Sequence, residues 1–289
     1  MHGDVSGRFA AASSQDARVE SHTRGDHRYN GRRESPLSSP ARMLTDDRLL
    51  ASIVIPAYNE ERRLPATLAA LEEALAGDRL APLAVGEVVV VDDGSADRTA
   101  DVTRSFAARL PRVSVVSLGE NRGKGRAVRE GLRAAAGPWV LVADADLSTP
   151  WEEAARLAVE ARLGGAAIAI GSRGLDMSRI KVHQSIVRES LGRTFNAFLR
   201  LVTGLPFSDT QCGFKLVEKP AIAAVLPRLS VDHFAWDVEL LLRARQAGLV
   251  VREVSVEWSH QADSRVRVLR DGLRMVATVL ALRLGGRRP

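Results

Sequence analysis

From residue 51 onward, short apolar runs alternate with stretches in which apolar residues recur every three or four positions. A run such as 87–91 has no polar alternation, which is typical of a strand covered on both faces. A spacing of three or four puts apolar side chains on one side of a helix. The pattern predicts strands at 52–56, 87–91, 112–118, 139–143 and 166–170, and helices at 61–76, from Ser95 or Asp97 to about Leu110, at 123–136 and from Pro150 onward.

These predicted elements alternate between strand and helix. Four such units in sequence predict an α/β fold with a doubly wound, mostly parallel central sheet flanked by helices. Sheets of this class bind ligands beyond the carboxyl ends of their strands. The second half of the chain is less regular, with predicted helices at 183–202, 236–246 and 265–284 and predicted strands near 214–217 and 250–258.

Residues 1–45 differ from the rest of the chain. They are rich in Ser, Arg, Gly and Asp and have no sustained hydrophobic period, so we expect a disordered N-terminal arm. We expect an α/β domain over 46–264, followed by a basic amphipathic helix and tail over 265–289. No apolar run approaches the roughly 20 residues that a membrane-spanning helix needs, and the N-terminus lacks the apolar core of a signal peptide.

Charge and cysteine content narrow the class of protein. Lys and Arg outnumber Asp and Glu by 41 to 35, and residues 265–289 hold seven Arg against one Asp, which accounts for the whole excess. A nucleic-acid-binding protein spreads basic residues over a binding face, whereas one basic terminal helix favours contact with an anionic membrane surface. Cys212 is the single cysteine of the 289 residues, so an intramolecular disulfide is impossible and a cytoplasmic setting is favoured.

Four polar motifs follow the first four predicted strands. In chain order they are Pro56–Glu60 (PAYNE), Asp92–Ser95 (DDGS), Asn121–Gly125 (NRGKG) and Asp144–Asp146 (DAD). Because the carboxyl ends of parallel strands meet at one edge of a sheet, we expect these motifs to form one site. The glycines around Lys124 let the backbone approach a ligand, and the N–H groups of the helix that begins there favour an anion.

The DAD motif has the chemistry of a metal site. Asp144 and Asp146 are spaced i, i+2, which on an extended segment points both carboxylates to the same side. Two carboxylates supply part of an oxygen-rich site for Mg²⁺ or Mn²⁺, which takes its other ligands from water and substrate phosphates. The alternative is that the two aspartates cap the helix predicted from Pro150.

Together these motifs resemble those of the family 2 glycosyltransferases, which have the Rossmann-like GT-A fold, and the resemblance covers roughly residues 51–283. It is nearest to the dolichyl- or polyprenyl-phosphate β-glucosyltransferases. The segments that narrow it are Asp144–Pro150 (DADLSTP), Gly171–Arg173 (GSR), Asp209–Lys215 (DTQCGFK), Asp237–Leu240 (DVEL) and Leu269–Met275 (LRDGLRM). The resemblance implies a nucleotide-sugar half at 51–150 and an acceptor half at 151–264.

On the donor side, the resemblance implies that Asp144 and Asp146 bind the metal ion of the nucleotide-sugar. The residues expected to contact the nucleotide-sugar are Pro56, Tyr58, Glu60, Asp92, Asp93, Lys124 and Ala145. For Asp92 and Asp93 the alternative is capping of the next helix, and for Tyr58 it is simple packing.

On the acceptor side, the resemblance implies that Arg173 and Arg188 hold the acceptor phosphate, and a planar guanidinium matches phosphate oxygens. Gln211 is expected to line or support the same site. Asp237 is expected to position the acceptor or the sugar when the acceptor is a lipid phosphate, which is already an anion. With a hydroxyl acceptor, Asp237 would instead be the general base.

The resemblance implies an inverting enzyme that moves glucose from UDP-glucose to polyprenyl phosphate and releases UDP. The sequence leaves open a GDP-mannose or N-acetylhexosamine nucleotide donor, a soluble hydroxyl acceptor, and a non-catalytic nucleotide-binding scaffold. The expected location is the inner face of the cell membrane, contacted through the helix at 265–284, which could instead simply pack on the domain. No nucleic acid partner is expected, and a membrane-protein partner and the oligomeric state are left open.

Overall fold

A seven-stranded sheet forms the centre of the fold in the computed structural model, which describes residues 48–182, 186–261 and 268–284. The strands, in the order in which they lie side by side, are β3 (Val113–Ser117), β2 (Leu83–Asp92), β1 (Leu49–Ala57), β4 (Trp139–Val142), β7 (Lys215–Glu218), β5 (Ile168–Ser172) and β8 (Val251–Ser255). Only β7 runs antiparallel to its neighbours in this sheet. The predicted mostly parallel sheet is therefore confirmed. Two short strands, β6 (Ile180–Val182) and β9 (Trp258–Ser259), pair separately.

Seven helices connect and flank these strands within the described residues. They are α1 (Leu64–Ala76), α2 (Thr99–Ser105), α3 (Lys124–Ala134), α4 (Glu153–Leu163), α5 (Ile186–Thr203), α6 (Trp236–Gln246) and α7 (Val268–Arg283). The predicted extension of the second helix to Leu110 is wrong. After Ser105 the chain continues in tight turns, with the N–H of Phe106 donating to the carbonyl of Thr103. These turns still bury Phe106 and Leu110, so the apolar spacing continues where the helix does not.

The alternation of apolar residues along the strands assigns the helices to two layers. In β1, Ile53 and Ile55 face the core that contains the leucines of α1 and α4, whereas Val54 faces the core that contains those of α3 and α6. Successive side chains of a strand point to opposite faces of the sheet. A strand that is apolar at every position is therefore covered by helices on both sides.

The antiparallel strand β7 brings the acceptor motif to the carboxyl edge of the sheet. Its first residue, Lys215, pairs with Val142 near the carboxyl end of β4 and with Ile170 in β5. Because β7 runs in the opposite direction, the segment that precedes it, 209–214, lies beside the carboxyl ends of β4 and β5. The sequence predicted this strand but not its direction.

The C-terminal helix α7 packs against the domain. Met275 and Val279 are buried in the same core as residues of α5 and α6, whereas Leu273 on the same helix is 72% exposed. Among the helices that the structure describes, none is both long and apolar enough to cross a membrane. The arm predicted at 1–45 and the end of the predicted tail lie outside the described residues, so the proposed division into domains stays a prediction.

Candidate active site

Hydrogen bonds and an ion pair join the four polar motifs into one cluster at the carboxyl edge of the sheet. The N–H of Asn59 donates to Oγ of Ser95 at 2.8 Å, which joins the first motif to the second. The N–H of Gly123 donates to Asp93 at 2.8 Å, which joins the second to the third. Lys124 in turn contacts Asp144. The structure therefore brings the four motifs together at one edge of the sheet, and their joint role as a binding site stays a prediction.

Asp144 lies between the NRGKG motif and the segment that precedes β7. Its Oδ1 is 2.6 Å from Nζ of Lys124, the first residue of α3. Its Oδ2 lies against Gly213 of the acceptor motif, where an added Cβ would be only 2.1 Å away. Burial alone would raise the pKa of Asp144, but the charges of Lys124, Lys215 and Arg173, together with a hydrogen bond from Lys124, outweigh burial and lower it. The positive charges around this carboxylate therefore favour its ionised form.

The turn after β4 fixes the second aspartate. Asp146 accepts the N–H of Ser148 at 3.0 Å, and Leu147 between them has a positive φ of 54°. The carbonyl of Ala145 accepts the hydroxyl of Thr67 at 2.7 Å, which ties the turn to α1. These bonds hold Asp146 in a defined loop. They are not the helix-capping contacts that were the alternative for this pair, because α4 begins later, at Glu153.

The chemistry of this pair fits a divalent cation. Two carboxylates are hard oxygen ligands of the kind that Mg²⁺ and Mn²⁺ take. The missing side chain at Gly213 leaves the space that the carboxylate of Asp144 fills. Within the described residues, no group of three or more His, Cys, Asp or Glu side chains is arranged to hold a metal. Mg²⁺ also accepts oxygen ligands from substrate phosphates and water.

Asp93 shapes the NRGKG loop. Its two carboxylate oxygens accept the N–H groups of Arg122 and Gly123, each at 2.8 Å. Gly123 has a φ of 106°, and a Cβ there would lie 2.4 Å from the carbonyl oxygen of Asp232. Burial raises the pKa of Asp93 against the effect of these two bonds. Asp93 therefore sets the loop that presents Lys124, and its contact with the nucleotide stays a prediction.

The other residues predicted to contact the nucleotide surround the ends of β1 and β2. Asp92 accepts the N–H of Ser95 at 2.9 Å. Glu60 accepts a hydrogen bond from Nε of Arg63 at 2.6 Å. Tyr58 is 37% exposed, so simple packing does not account for it. Pro56 pairs with Val91 in the register between the two strands. All four lie at the edge where the nucleotide is expected.

Arg173 is held by two neighbours that the sequence did not assign. Its Nε and Nη2 donate to the two carboxylate oxygens of Asp209 at 2.6 and 3.0 Å. The guanidinium carbon also lies 5.3 Å from the centre of the Trp258 ring. Burial alone would raise the pKa of Asp209, but Arg173 outweighs it and lowers the pKa. Asp209 is the first residue of the DTQCGFK motif, so the sequence offered a signal for it. Nothing in the sequence points to Trp258.

A fully buried ion pair lies beneath the site. Lys215, with no exposed surface, pairs with Asp237 and donates to the carbonyl of Cys212. Its Nζ also lies 5.2 Å from the ring centre of Trp236. Burial raises the pKa of Asp237 and outweighs the opposing charges of Lys215 and Lys124. The sequence predicted a role for Asp237 but assigned none to Lys215, although Lys215 ends the quoted acceptor motif.

The remaining acceptor-side predictions have different outcomes. The backbone N–H of Gln211 donates to Asp209 at 3.0 Å, and its Nε2 is 3.8 Å from the sulfur of Met275 in α7. Burial raises the pKa of the Cys212 thiol to about 11. The side chain of Arg188 lies outside the described part of the chain, so its predicted role stays a prediction.

A small pocket, partly open to solvent, lies beside Asp144. Its lining includes Ser148, Thr149 and Trp258, together with the apolar side chains of Leu147, Trp151 and Phe214. A pocket with one anionic end, hydroxyl groups and aromatic walls has the features of a small polar ligand site.

Comparison with known proteins agrees with this geometry. The family model "Glycosyl transferase family 2" matches residues 52–224. The chain belongs to glycosyl transferase family 2. It is 36% identical to the dolichyl-phosphate beta-glucosyltransferase of Trichomonas vaginalis over 75% of this chain and 68% of that protein. It is 33% identical to the dolichyl-phosphate beta-glucosyltransferase of Homo sapiens over 81% of this chain and 74% of that protein.

Solved structures confirm the fold of this family 2 chain. The Mycobacterium tuberculosis glucosyl-3-phosphoglycerate synthase covers 83% of this chain with a TM-score of 0.61 and 21% identity. The same enzyme in complex with Mn²⁺, uridine-diphosphate-glucose and phosphoglyceric acid gives a TM-score of 0.58 over 83% of this chain and 81% of that one, with 20% identity. This similarity confirms the predicted GT-A fold, and at such low identity it shows the fold alone.

Proposed function

We propose that this chain transfers glucose from UDP-glucose to a dolichyl-type polyprenyl phosphate, releasing UDP and forming a β-linked polyprenyl-phosphate sugar. Two relatives that are dolichyl-phosphate beta-glucosyltransferases are 33% and 36% identical to this chain over three quarters or more of its length. The observation that carries the proposal is the position of Asp144, which lies between Lys124 of the donor half and Gly213 of the acceptor half. Both substrates can therefore reach one carboxylate.

On the donor side, Asp144 and Asp146 would hold Mg²⁺ or Mn²⁺, which when bound neutralises charge on the departing diphosphate. Lys124 offers an ammonium at the N-terminus of α3, where backbone N–H groups also favour an anion. Asp93 keeps the loop before α3 in the shape that presents Lys124. The protein thus supplies positive charge where negative charge accumulates as UDP leaves.

On the acceptor side, Asp209 orients Arg173 through two parallel hydrogen bonds, in which Nη1 of the guanidinium takes no part. We assign the binding of the acceptor phosphate to Arg173, together with Arg188 and Gln211. A lipid phosphate is an anion at neutral pH, so its oxygen can attack the anomeric carbon without prior loss of a proton. That bond forms as the bond from the anomeric carbon to UDP breaks, and the configuration inverts.

Asp237 then has no need to act as a general base. It is buried and paired with Lys215, which directly follows the loop that carries Cys212 and Gly213. We assign to Asp237 the positioning of the acceptor side of the site through this pair.

We also propose that α7 contacts the cytoplasmic face of a membrane. Leu273 in α7 and Leu284 directly after it are 72% and 83% exposed, and Arg274 and Arg283 in α7 are exposed as well. An amphipathic helix of this kind inserts its leucines at the interface and places its arginines near anionic lipid. Met275 and Val279 would continue to close the domain from the other side of the helix.

The test uses purified protein, Mg²⁺ or Mn²⁺, polyprenyl phosphate and a set of radiolabelled nucleotide-sugars. Label that moves into the organic phase from UDP-glucose alone supports the proposal, and label from GDP-mannose or a UDP-N-acetylhexosamine corrects the sugar. No label from any donor, with UDP still bound, overturns the lipid-phosphate acceptor.

The metal assignment is tested by Asp146→Ala. We expect this variant to lose transfer while its thermal unfolding stays close to that of the wild type, because Asp146 lies in a surface turn rather than in the core. Near-normal turnover would contradict the assignment.

A further inference from the structure

Lys124 and the expected metal ion need the same carboxylate. The ammonium lies 2.6 Å from Oδ1 of Asp144, and Gly213 packs against Oδ2 so closely that a Cβ would be 2.1 Å away. Both oxygens of Asp144 therefore have a neighbour before any ligand binds. A divalent cation bound to Asp144 would face the ammonium at short range, and at such distances two positive charges repel strongly even near a protein surface.

The pair of aspartates has few further ligands for a cation beside it among the described residues. Asp146 already accepts one backbone N–H, and within the described residues no third acidic, histidine or cysteine side chain joins the pair. Mg²⁺ and Mn²⁺ take several oxygen ligands, and in sites with few carboxylates they obtain them from substrate phosphates. The metal alone is therefore expected to bind weakly here.

A nucleoside diphosphate changes this balance. It supplies oxygen ligands for the metal and negative charge for an ammonium at the same place. Lys124 is the first residue of α3, so its side chain and the helix N-terminus can meet one phosphate group together. Binding of the diphosphate would draw the ammonium away from Asp144 and leave that carboxylate to the metal.

We propose that Lys124 is a charge-exchange residue that makes metal binding depend on the nucleotide: its ammonium neutralises Asp144 in the ligand-free protein and transfers to the diphosphate when metal and nucleotide bind together. This inference rests on the proposed function, because it requires a nucleoside diphosphate ligand. Lys124 then couples the binding of the metal to the binding of the nucleotide, because its ammonium moves from Asp144 to the diphosphate. The coupling is reciprocal, so each ligand strengthens the binding of the other.

The test measures Mn²⁺ affinity from the electron paramagnetic resonance signal of unbound Mn²⁺, with and without UDP. Lys124→Met removes the charge and keeps most of the side-chain length, and Lys124→Arg keeps the charge. Arg133→Met is the matched control, since it removes one positive charge from the other end of α3, where Arg133 pairs with Glu130. Lys124→Gln replaces Lys124→Met in the same comparison if the methionine variant does not fold.

For the wild type we expect weak Mn²⁺ binding that UDP strengthens. Lys124→Met should bind Mn²⁺ alone about tenfold or more tightly than the wild type, within the usual range of coupling between two ligands, and UDP should strengthen it less. Lys124→Arg and Arg133→Met should behave like the wild type. A gain of metal affinity is not a result that simple damage to the site would produce.

Equal or weaker binding of Mn²⁺ alone by Lys124→Met overturns the inference. The proposed function stands in that case if the wild type binds UDP with Mn²⁺ and moves label into the organic phase. If the wild type binds no UDP under any metal condition, both the inference and the proposed function are overturned.

Discussion

The buried pair of Lys215 and Asp237 predicts a large loss of stability from one substitution, Lys215→Met. Lys215 has no exposed surface and Asp237 is 3% exposed. Methionine fills most of the space of the lysine stem, so the loss of packing is small. What remains is a buried carboxylate without its cation, and breaking a buried pair from one side costs about 3–5 kcal/mol. The carbonyl of Cys212 also loses its donor.

The expected effect can be measured by denaturant and thermal unfolding. A loss of about 3–5 kcal/mol corresponds to a fall in Tm of roughly 6–20 °C for a domain of this size. The matched control is Lys181→Met, which removes the same side chain from an exposed pair with Glu257 at 3.4 Å and should cost less than about 1 kcal/mol. The double variant Lys215→Met with Asp237→Asn should recover part of the loss, because the uncompensated charge is then removed.

The pH dependence gives a second check on the same pair. Burial raises the pKa of Asp237 above its usual value of 3.8, so the native state holds this proton more tightly than the unfolded state. Stability from this group is therefore present below pH 3.8 and is lost as pH rises through the native pKa. Lys215→Met should raise the pKa of Asp237 further and increase the loss of stability as the pH rises. A cost below about 1 kcal/mol at neutral pH, or an unchanged pH profile, would refute the reasoning.

Three further predictions test other contacts of the site. Gly213→Ala should reduce transfer at least tenfold with a small change in stability. The new Cβ would lie 2.1 Å from Oδ2 of Asp144 and would force that carboxylate to move. Unchanged kinetics would contradict this contact. Asp209→Asn should lower the free energy of unfolding at pH 7 by about 3 kcal/mol. Because Arg173 lowers the pKa of Asp209 below 3.8 in the native state, the stability from this group is lost as the pH falls through that native pKa. The variant should therefore lose less stability than the wild type as the pH is lowered. An acid limb equal to that of the wild type would show that Asp209 is not the group responsible. Cys212 should react with iodoacetamide at pH 8 only as the protein unfolds, since the thiol is buried with its pKa raised to about 11; rapid labelling of the native protein would argue against this burial.

The donor half of the site was predictable because its information is local. The strands before Asp92 and Asp144 are apolar at nearly every position, and each polar motif begins where its strand ends. When parallel strands are connected by helices, their carboxyl ends all lie at the same edge of the sheet. The prediction that Asp144, Lys124 and Asp93 lie together needed only this rule.

The acceptor half was less predictable because its contacts join distant parts of the chain. Arg173 meets Asp209 across 36 positions, and β7 must insert antiparallel between β4 and β5 to bring Gly213 to Asp144. A four-residue apolar run carries no signal for its direction or its neighbours. The limit of α2 was also missed, because tertiary contacts bury Phe106 and Leu110 whether or not the helix continues to them.

The sequence by itself determined the layered α/β architecture, the edge of the sheet where the site lies and the residues of its donor motifs, because hydrophobic period and motif spacing act over a few residues. Only the tertiary structure decided which charges are paired: Lys124 with Asp144, Arg173 with Asp209 and Lys215 with Asp237. The physical reason is that the partner of a charge depends on burial and on distances of a few ångströms, which arise only when strands and helices that are far apart in sequence pack together.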